Sequence, residues 1–209
     1  MSSKTVLSQI KNATESKSSP SSLPRVATLQ AKKKTTTVPF GFASLPCGEK
    51  ISKNHKCFAA SGSLEEAIGL IGRLKAVHFN LEDASARKMF IFARLTKIQE
   101  DLISIVRSLT TTALVSGKHT TSRFPMDRVK DIDEAITSLG SSMYTGTPGI
   151  TLIEADLYCI WAVVRRCERQ VIAAKDPQLG LSVEESAITY LNRLSDYFSM
   201  LIVHMSGRF

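Results

Sequence analysis

The sequence predicts an all-α protein in which five helices form an up-down bundle behind an extended, basic N-terminal tail. Apolar residues recur at helical spacing from Leu64 to the last residues of the chain. No stretch alternates apolar and polar residues in the way that a half-buried strand does. Short segments rich in Gly, Pro, Ser and Thr separate the helical stretches, and helices with short connections are typical of a bundle.

Three helix starts share one sequence pattern, a hydroxyl residue followed three positions later by glutamate. Ser63, Thr151 and Ser182 each begin such a pattern. In a capping box the hydroxyl accepts a hydrogen bond from the backbone of the first turn, and the glutamate reaches back to the cap. We therefore expect helices to begin at these residues. The five predicted helices cover residues 63–80, 83–109, 127–139, 152–175 and 183–205, with Gly140 ending the third and Gly117 following the second.

The positive charge of the chain lies in its N-terminal quarter. The net charge is +8 over 209 residues, yet the chain after Cys57 contains 17 basic and 17 acidic residues. Ten Lys and Arg but only two acids occupy residues 1–57. We accordingly divide the chain into a basic segment, 1–57, and a helical bundle, 58–209.

Residues 1–57 are rich in Ser and Lys, a composition typical of a transit peptide and hence of the mitochondrial matrix. The alternatives are an extended arm that a partner orders and a disordered linker, because so polar a segment cannot fold alone. In the arm, Lys32, Lys33 and Lys34 are the candidate phosphate contacts to RNA.

Composition and cysteine spacing argue against a membrane protein, a metalloprotein and a disulfide-stabilised protein. The longest uncharged run, 135–153, contains glycines and a proline, so we predict no membrane span. Cys47, His55 and Cys57 lack a fourth zinc ligand, and we predict no metal site. The cysteines show no CxxC spacing, and we expect reduced thiols.

The fourth predicted helix carries Arg165, Arg166, Glu168 and Arg169 within an apolar stretch. Arg165 and Arg169 are one turn apart, a spacing suited to clamping a carboxylate or a polyphosphate, with Glu168 holding Arg165. The alternative is a salt-bridge network that only joins helices or subunits.

The fifth predicted helix carries a second polar cluster of Asn192, Arg193, Ser195 and Asp196. We expect Asp196 to pair with an arginine of the fourth helix. Taken alone, this cluster is also what a solvated helix face looks like.

The segments VVRRCERQVI and YLNRLSDYF resemble the signature of the PduO-type ATP:corrinoid adenosyltransferases, which reads CRRAERRVV on one helix and [FY]LNRLSDxLF on the next. Pro148-Gly149 and the stretch from Gly48 to Lys53 are also similar to the family's patterns. The resemblance covers the chain from about Thr35 and is strongest in the last 50 residues. It implies a ferritin-like five-helix bundle that forms a homotrimer and binds ATP and cobalamin between subunits.

Residue by residue, the resemblance implies that the ATP contacts fall on Lys53, Arg165, Glu168 and Asn192. The chain departs from the family at residues 37–41, where the phosphate-binding loop TGDxG is replaced by Thr-Val-Pro-Phe-Gly, and at Trp161, which replaces an arginine. The family transfers the 5′-deoxyadenosyl group of ATP to reduced cobalamin. The resemblance implies that, in the family, the TGDxG loop and the arginine at the position of Trp161 hold and stabilise the departing triphosphate.

We interpret the protein as a noncatalytic relative that serves as a structural subunit of a large mitochondrial complex, specifically the mitochondrial ribosome, with RNA or protein as partner of the basic segment. On this interpretation no residue is assigned as catalytic and no cofactor is required. The alternative is an active mitochondrial adenosyltransferase that uses ATP and cobalamin. A third hypothesis is a regulator that binds either ligand without turnover.

Overall fold

The computed structural model describes residues 38–44, 50–79, 85–111, 124–140, 142–146, 151–175 and 183–206, all within a compact unit covering residues 38–209. The described residues form one short hairpin and five helices. The hairpin strands are β1 (Phe42–Ser44) and β2 (Lys50–Ser52). The helices are α1 (Lys56–His78), α2 (Ala86–Thr111), α3 (Met126–Leu139), α4 (Leu152–Ala173) and α5 (Glu185–Ser206).

The predicted all-α five-helix bundle is confirmed. Helix α1 packs against α2 and α4, and α5 packs against α3 and α4. One face of each helix contributes to a single core, as the apolar spacing predicted. Leu64, Leu102, Ile132, Ile160 and Phe198 are almost completely buried members of it.

Two predicted helix ends are confirmed in detail. The Thr151 hydroxyl accepts a hydrogen bond from the Glu154 amide at 3.3 Å, which caps α4. Gly140 ends α3 with a φ of 105°, a conformation that side chains other than glycine rarely adopt. Ser182, Asp83 and Gly117, which we expected near other helix ends, lie outside the described residues.

The predicted start of the first helix at Ser63 is wrong. Helix α1 begins seven residues earlier, where the His55 side chain accepts a hydrogen bond from the Cys57 amide at 3.2 Å. Burial of Cys57 and Ala60 in the first turns offsets the poor helix propensity of Gly62. Ser63 therefore lies inside the helix, where its hydroxyl donates to the Ala59 carbonyl at 3.0 Å. The domain boundary predicted after Cys57 falls in the first turn of α1.

The structure also contains a short hairpin that the sequence pattern did not indicate. Strands β1 and β2 pair antiparallel, with Ala43 opposite Ile51. Each strand has only three residues, too few for an alternating pattern to be visible in the sequence. Ile51 is the residue of the hairpin that is buried.

No helix in the described part of the chain is both long and apolar enough to cross a membrane.

Candidate functional site

Arg165 lies on the outer face of α4 and is exposed to solvent. Its guanidinium carbon lies 5.2 Å from the centroid of the Trp161 ring, one turn earlier on the same helix. This is a cation–π contact. The resemblance gives an arginine at the position of Trp161, so an indole and not a second guanidinium lies beside Arg165 here.

Glu168 and Asn192 connect α4 to α5. The Asn192 side-chain amide donates to the Glu168 carboxylate at 3.2 Å. We had expected Glu168 to hold Arg165, but the Arg165 guanidinium lies over Trp161 instead. The structure thus brings Glu168 and Asn192 together and gives Arg165 a different partner. We call Arg165, Glu168 and Asn192 the signature cluster.

The neighbouring arginines of α4 differ in their partners. Arg166 forms an ion pair with Glu66 of α1 across the α1–α4 contact. Arg169 is exposed and forms no ion pair with any residue that the structure describes. Arg165 and Arg169, which we expected to clamp an anion, therefore both have guanidinium groups that are exposed to solvent.

Within the polar cluster of α5, Asn192 contacts α4, whereas Arg193 and Asp196 have other partners. Arg193 contacts Asp133 of α3 and Asp196 of its own helix, each at 3.3 Å. The expected pairing of Asp196 with an arginine of the fourth helix is therefore wrong. Asp196 is one turn from Arg193 on the same helix, and opposite charges at i,i+3 are neighbours on a helix surface.

Lys53 follows β2 directly and has an exposed side chain. Its amide donates to the carbonyl of Gly41 at 2.8 Å, which joins the residue to the turn before β1. In this turn Phe42 donates to the Pro39 carbonyl at 3.1 Å, and Gly41 has a φ of 80°. These contacts bring Lys53 next to the segment that aligns with the family's phosphate loop. Lys32, Lys33 and Lys34 lie outside the described residues.

A cavity of about 280 Å³ lies where α1 begins and α4 ends. Lys56 and Lys175 are among its lining residues, with Asn54 and His55 from the turn after Lys53. The turn after Lys53 and the C-terminal end of α4 are therefore adjacent.

The described residues contain no group of three or more His, Cys, Asp or Glu side chains that could bind a metal ion. Cys57, Cys159 and Cys167 are free thiols. Burial raises the pKa of Cys167 to about 11, so its thiol is protonated at neutral pH. Cys47 lies outside the described residues.

The family model for cobalamin adenosyltransferase matches residues 34–205 of the sequence. The chain belongs to the cobalamin adenosyltransferase family. Among curated protein sequences, none matches this chain.

Solved structures of the family share the fold. A variant PduO-type ATP:corrinoid adenosyltransferase from Lactobacillus reuteri, complexed with ATP, is 21% identical and superposes with a TM-score of 0.63 over 78% of this chain and 86% of that one. A second variant from the same organism, complexed with cobalamin and ATP, is 22% identical, with a TM-score of 0.59 over 79% and 86% of the two chains. At this level of identity, the similarity establishes the fold.

This cobalamin adenosyltransferase family member also contains a buried polar cluster that sequence reasoning missed. Asp156 of α4 is 7% exposed and accepts hydrogen bonds from His78, at 2.8 Å, and from Arg73. Burial alone would raise the pKa of Asp156, but the hydrogen bonds and charges of its two α1 partners outweigh burial and lower it. The sequence contains one signal for this Asp156 cluster. Asp156 precedes Ile160 by four residues, so it lies on the core-facing stripe of α4, where a carboxylate needs a partner.

A second missed cluster lies between α2, α3 and α5. Asp101, 5% exposed, accepts from the Tyr190 hydroxyl at 3.0 Å and lies 3.3 Å from the Arg128 guanidinium. Burial raises the pKa of Asp101, and the Tyr190 hydrogen bond and the Arg128 charge offset only part of that rise. This Asp101 cluster joins three helices through two buried side chains, Asp101 and Tyr190, and the partly exposed Arg128, so we assign it a structural role.

Proposed function

We propose that this protein is a noncatalytic member of the cobalamin adenosyltransferase family that serves as a structural subunit of a mitochondrial assembly, the mitochondrial ribosome. The main support is Trp161, which lies beside Arg165 where the family signature carries a cation. A neutral indole supplies no positive charge to a triphosphate that gains negative charge as it leaves. Loss of one such contact costs about 2.7–4 kcal/mol of transition-state stabilisation.

The turn before β1 supports the same proposal. A phosphate-binding loop holds its ligand by backbone N–H groups. Pro39 has no N–H, and the Phe40 side chain next to it is fully exposed to solvent. The turn thus has fewer donors and a bulky apolar side chain where the family's loop TGDxG binds phosphates.

The surface of α2 supports the structural role. Met89 and Phe90 are consecutive residues with side chains that are 55% and 60% exposed. Large exposed apolar side chains side by side are typical of a surface that meets another protein. A subunit of a large complex needs such a surface.

An active ATP:cob(I)alamin adenosyltransferase is the second candidate. The Glu168–Asn192 hydrogen bond and the bond between Lys53 and Gly41 favour it, since they hold three of the four retained family positions in place. This candidate requires ATP and cobalamin and, by family likeness, a homotrimer.

Calorimetric titration of the purified full chain with Mg-ATP, with and without reduced cobalamin, separates the candidates. We expect no binding at millimolar ATP for the wild-type protein and a gain of affinity in Trp161→Arg with the loop TGDKG restored at residues 37–41. Tight wild-type binding that Arg165→Ala abolishes would overturn the noncatalytic proposal. Arg166→Ala, which breaks the exposed pair with Glu66, is the control for a nonspecific loss of charge.

The assembly is tested by sedimentation. We expect the tagged protein to enter the organelle and to sediment with ribosomal subunits in a sucrose gradient. Recovery only in slow fractions, at the size of a free trimer, would contradict a ribosomal role.

A further inference from the structure

Aromatic and basic side chains follow one face of α4 at intervals of one turn. We call Tyr158, Trp161, Arg165 and Arg169 the α4 row. The Tyr158 and Trp161 ring centroids are 5.2 Å apart and Arg165 lies over the Trp161 ring at the same distance. Tyr144 extends the aromatic part, with its centroid 6.2 Å from that of Tyr158. Tyr158 and Trp161 are half-buried against the core, so the row changes along the helix from half-buried rings to exposed cations.

The two cations of the row differ from the arginines that pair with carboxylates across the bundle. Arg73, Arg128, Arg166 and Arg193 each contact a carboxylate. Arg165 and Arg169 contact none among the described residues. Two guanidinium groups one turn apart outnumber the single carboxylate of Glu168, which is engaged by Asn192, so this surface is complementary to an anion.

We propose that the α4 row binds single-stranded RNA, with a base stacked on the Arg165–Trp161 pair and phosphates held by Arg165 and Arg169. This inference rests on the proposed role in a ribonucleoprotein assembly. Exposed bases of single strands stack on aromatic rings and on guanidinium planes, whereas the bases of a duplex are already stacked on each other. A row of aromatic and cationic groups fits such a ligand better than an acidic protein surface, which would use the charges but not the rings.

The fluorescence of Trp161 tests the proposal, because it is the only tryptophan of the chain. The full-length protein is titrated with a single-stranded 12-mer of uridines, and with a 12-base-pair RNA duplex for comparison. We expect saturable quenching by the single strand and weaker quenching by the duplex. Base–aromatic stacking supplies about 1–3 kcal/mol per base, and Arg165 both completes the stacking face of Trp161 and holds a phosphate, so Arg165→Ala should weaken the affinity about fivefold or more.

Lys88→Ala is the matched control, since Lys88 is an exposed cation on α2. We expect it to leave quenching by the single strand unchanged. Binding of labelled RNA without quenching, or an equal effect of Lys88→Ala and Arg165→Ala, would refute the α4 row as the site. Quenching by Mg-ATP that excludes RNA at a lower concentration would assign the row to a nucleotide and overturn the proposal. Sedimentation with ribosomes in a protein that shows no quenching would leave the structural-subunit proposal standing without this site.

Discussion

The polar residues of α4 fall into two sets with opposite surroundings. Asp156, near the start of the helix, is buried and held by Arg73 and His78. Arg165 and Glu168, two to three turns later, lie at the surface with weaker partners. Burial therefore decides which set stabilises the fold. The residues that the family likeness marks for ligand binding are the ones that the bundle does not need for packing.

Replacing the buried carboxylate should have the largest effect on stability. Asp156→Asn removes the charge that two cations contact, and we expect the free energy of unfolding to fall by about 2–3 kcal/mol, less than for a fully buried pair because Arg73 is half exposed. Urea unfolding followed by circular dichroism measures it. Arg165→Ala is the matched change in the signature cluster, and a loss as large as that of Asp156→Asn would contradict the comparison.

The stabilising effect of Asp156 should depend on pH. Since the folded-state pKa of Asp156 lies below its ordinary value, its contribution is complete above the ordinary pKa and is lost as the pH falls through the folded-state pKa. The stability difference between wild type and Asp156→Asn should therefore shrink as the pH falls from about 5 through the ordinary pKa of aspartate and below it. The pKa of Asp101 is raised in the folded state, so its effect on stability has the opposite pH dependence: its contribution weakens as the pH rises. A constant difference for Asp156→Asn across this range would argue against the ion pairs.

The Asp101 cluster should show an intermediate effect. Tyr190→Phe removes a buried hydroxyl that donates to Asp101, and we expect a loss of about 1 kcal/mol. In a double-mutant cycle with Asp101→Asn, the two changes should be clearly non-additive because the side chains share one hydrogen bond. Additive losses would show that Tyr190 acts through packing alone.

The smallest effect is expected for the surface pair of Glu66 and Arg166. Both side chains are 40% or more exposed, and pairs of this kind contribute about 0.2–1 kcal/mol. A double-mutant cycle at low and high salt should give a coupling that salt removes. A coupling energy as large as the loss of stability in Asp156→Asn would show that this exposed pair stabilises the fold as much as the buried ion pairs of Asp156 do.

The comparison also explains what the sequence could and could not predict. Apolar spacing identified the five helices because each has one buried face, and Thr151 and Gly140 marked their ends by local hydrogen bonds and φ alone. Ser63 gave a false start, since a hydroxyl inside a helix produces the same sequence pattern as one at its cap.

Partners across helices were not predictable from spacing. Asp196 pairs within its own helix and Glu168 with α5, because the rotation of each helix about its axis decides which side chains meet. The assignment of Lys53, Arg165, Glu168 and Asn192 to a nucleotide remains a prediction from family likeness. Asp156 was missed because its partners, Arg73 and His78, are about 80 residues away in sequence.

The most direct test of the account is adenosyl transfer by the purified full-length protein, with Mg-ATP and chemically reduced cobalamin, followed by the absorbance of adenosylcobalamin beside an active family member. We predict no product above the uncatalysed background, because Trp161 and the altered loop leave the triphosphate without its contacts. Turnover that Arg165→Ala abolishes and Lys88→Ala leaves intact would contradict the account and establish the protein as an enzyme.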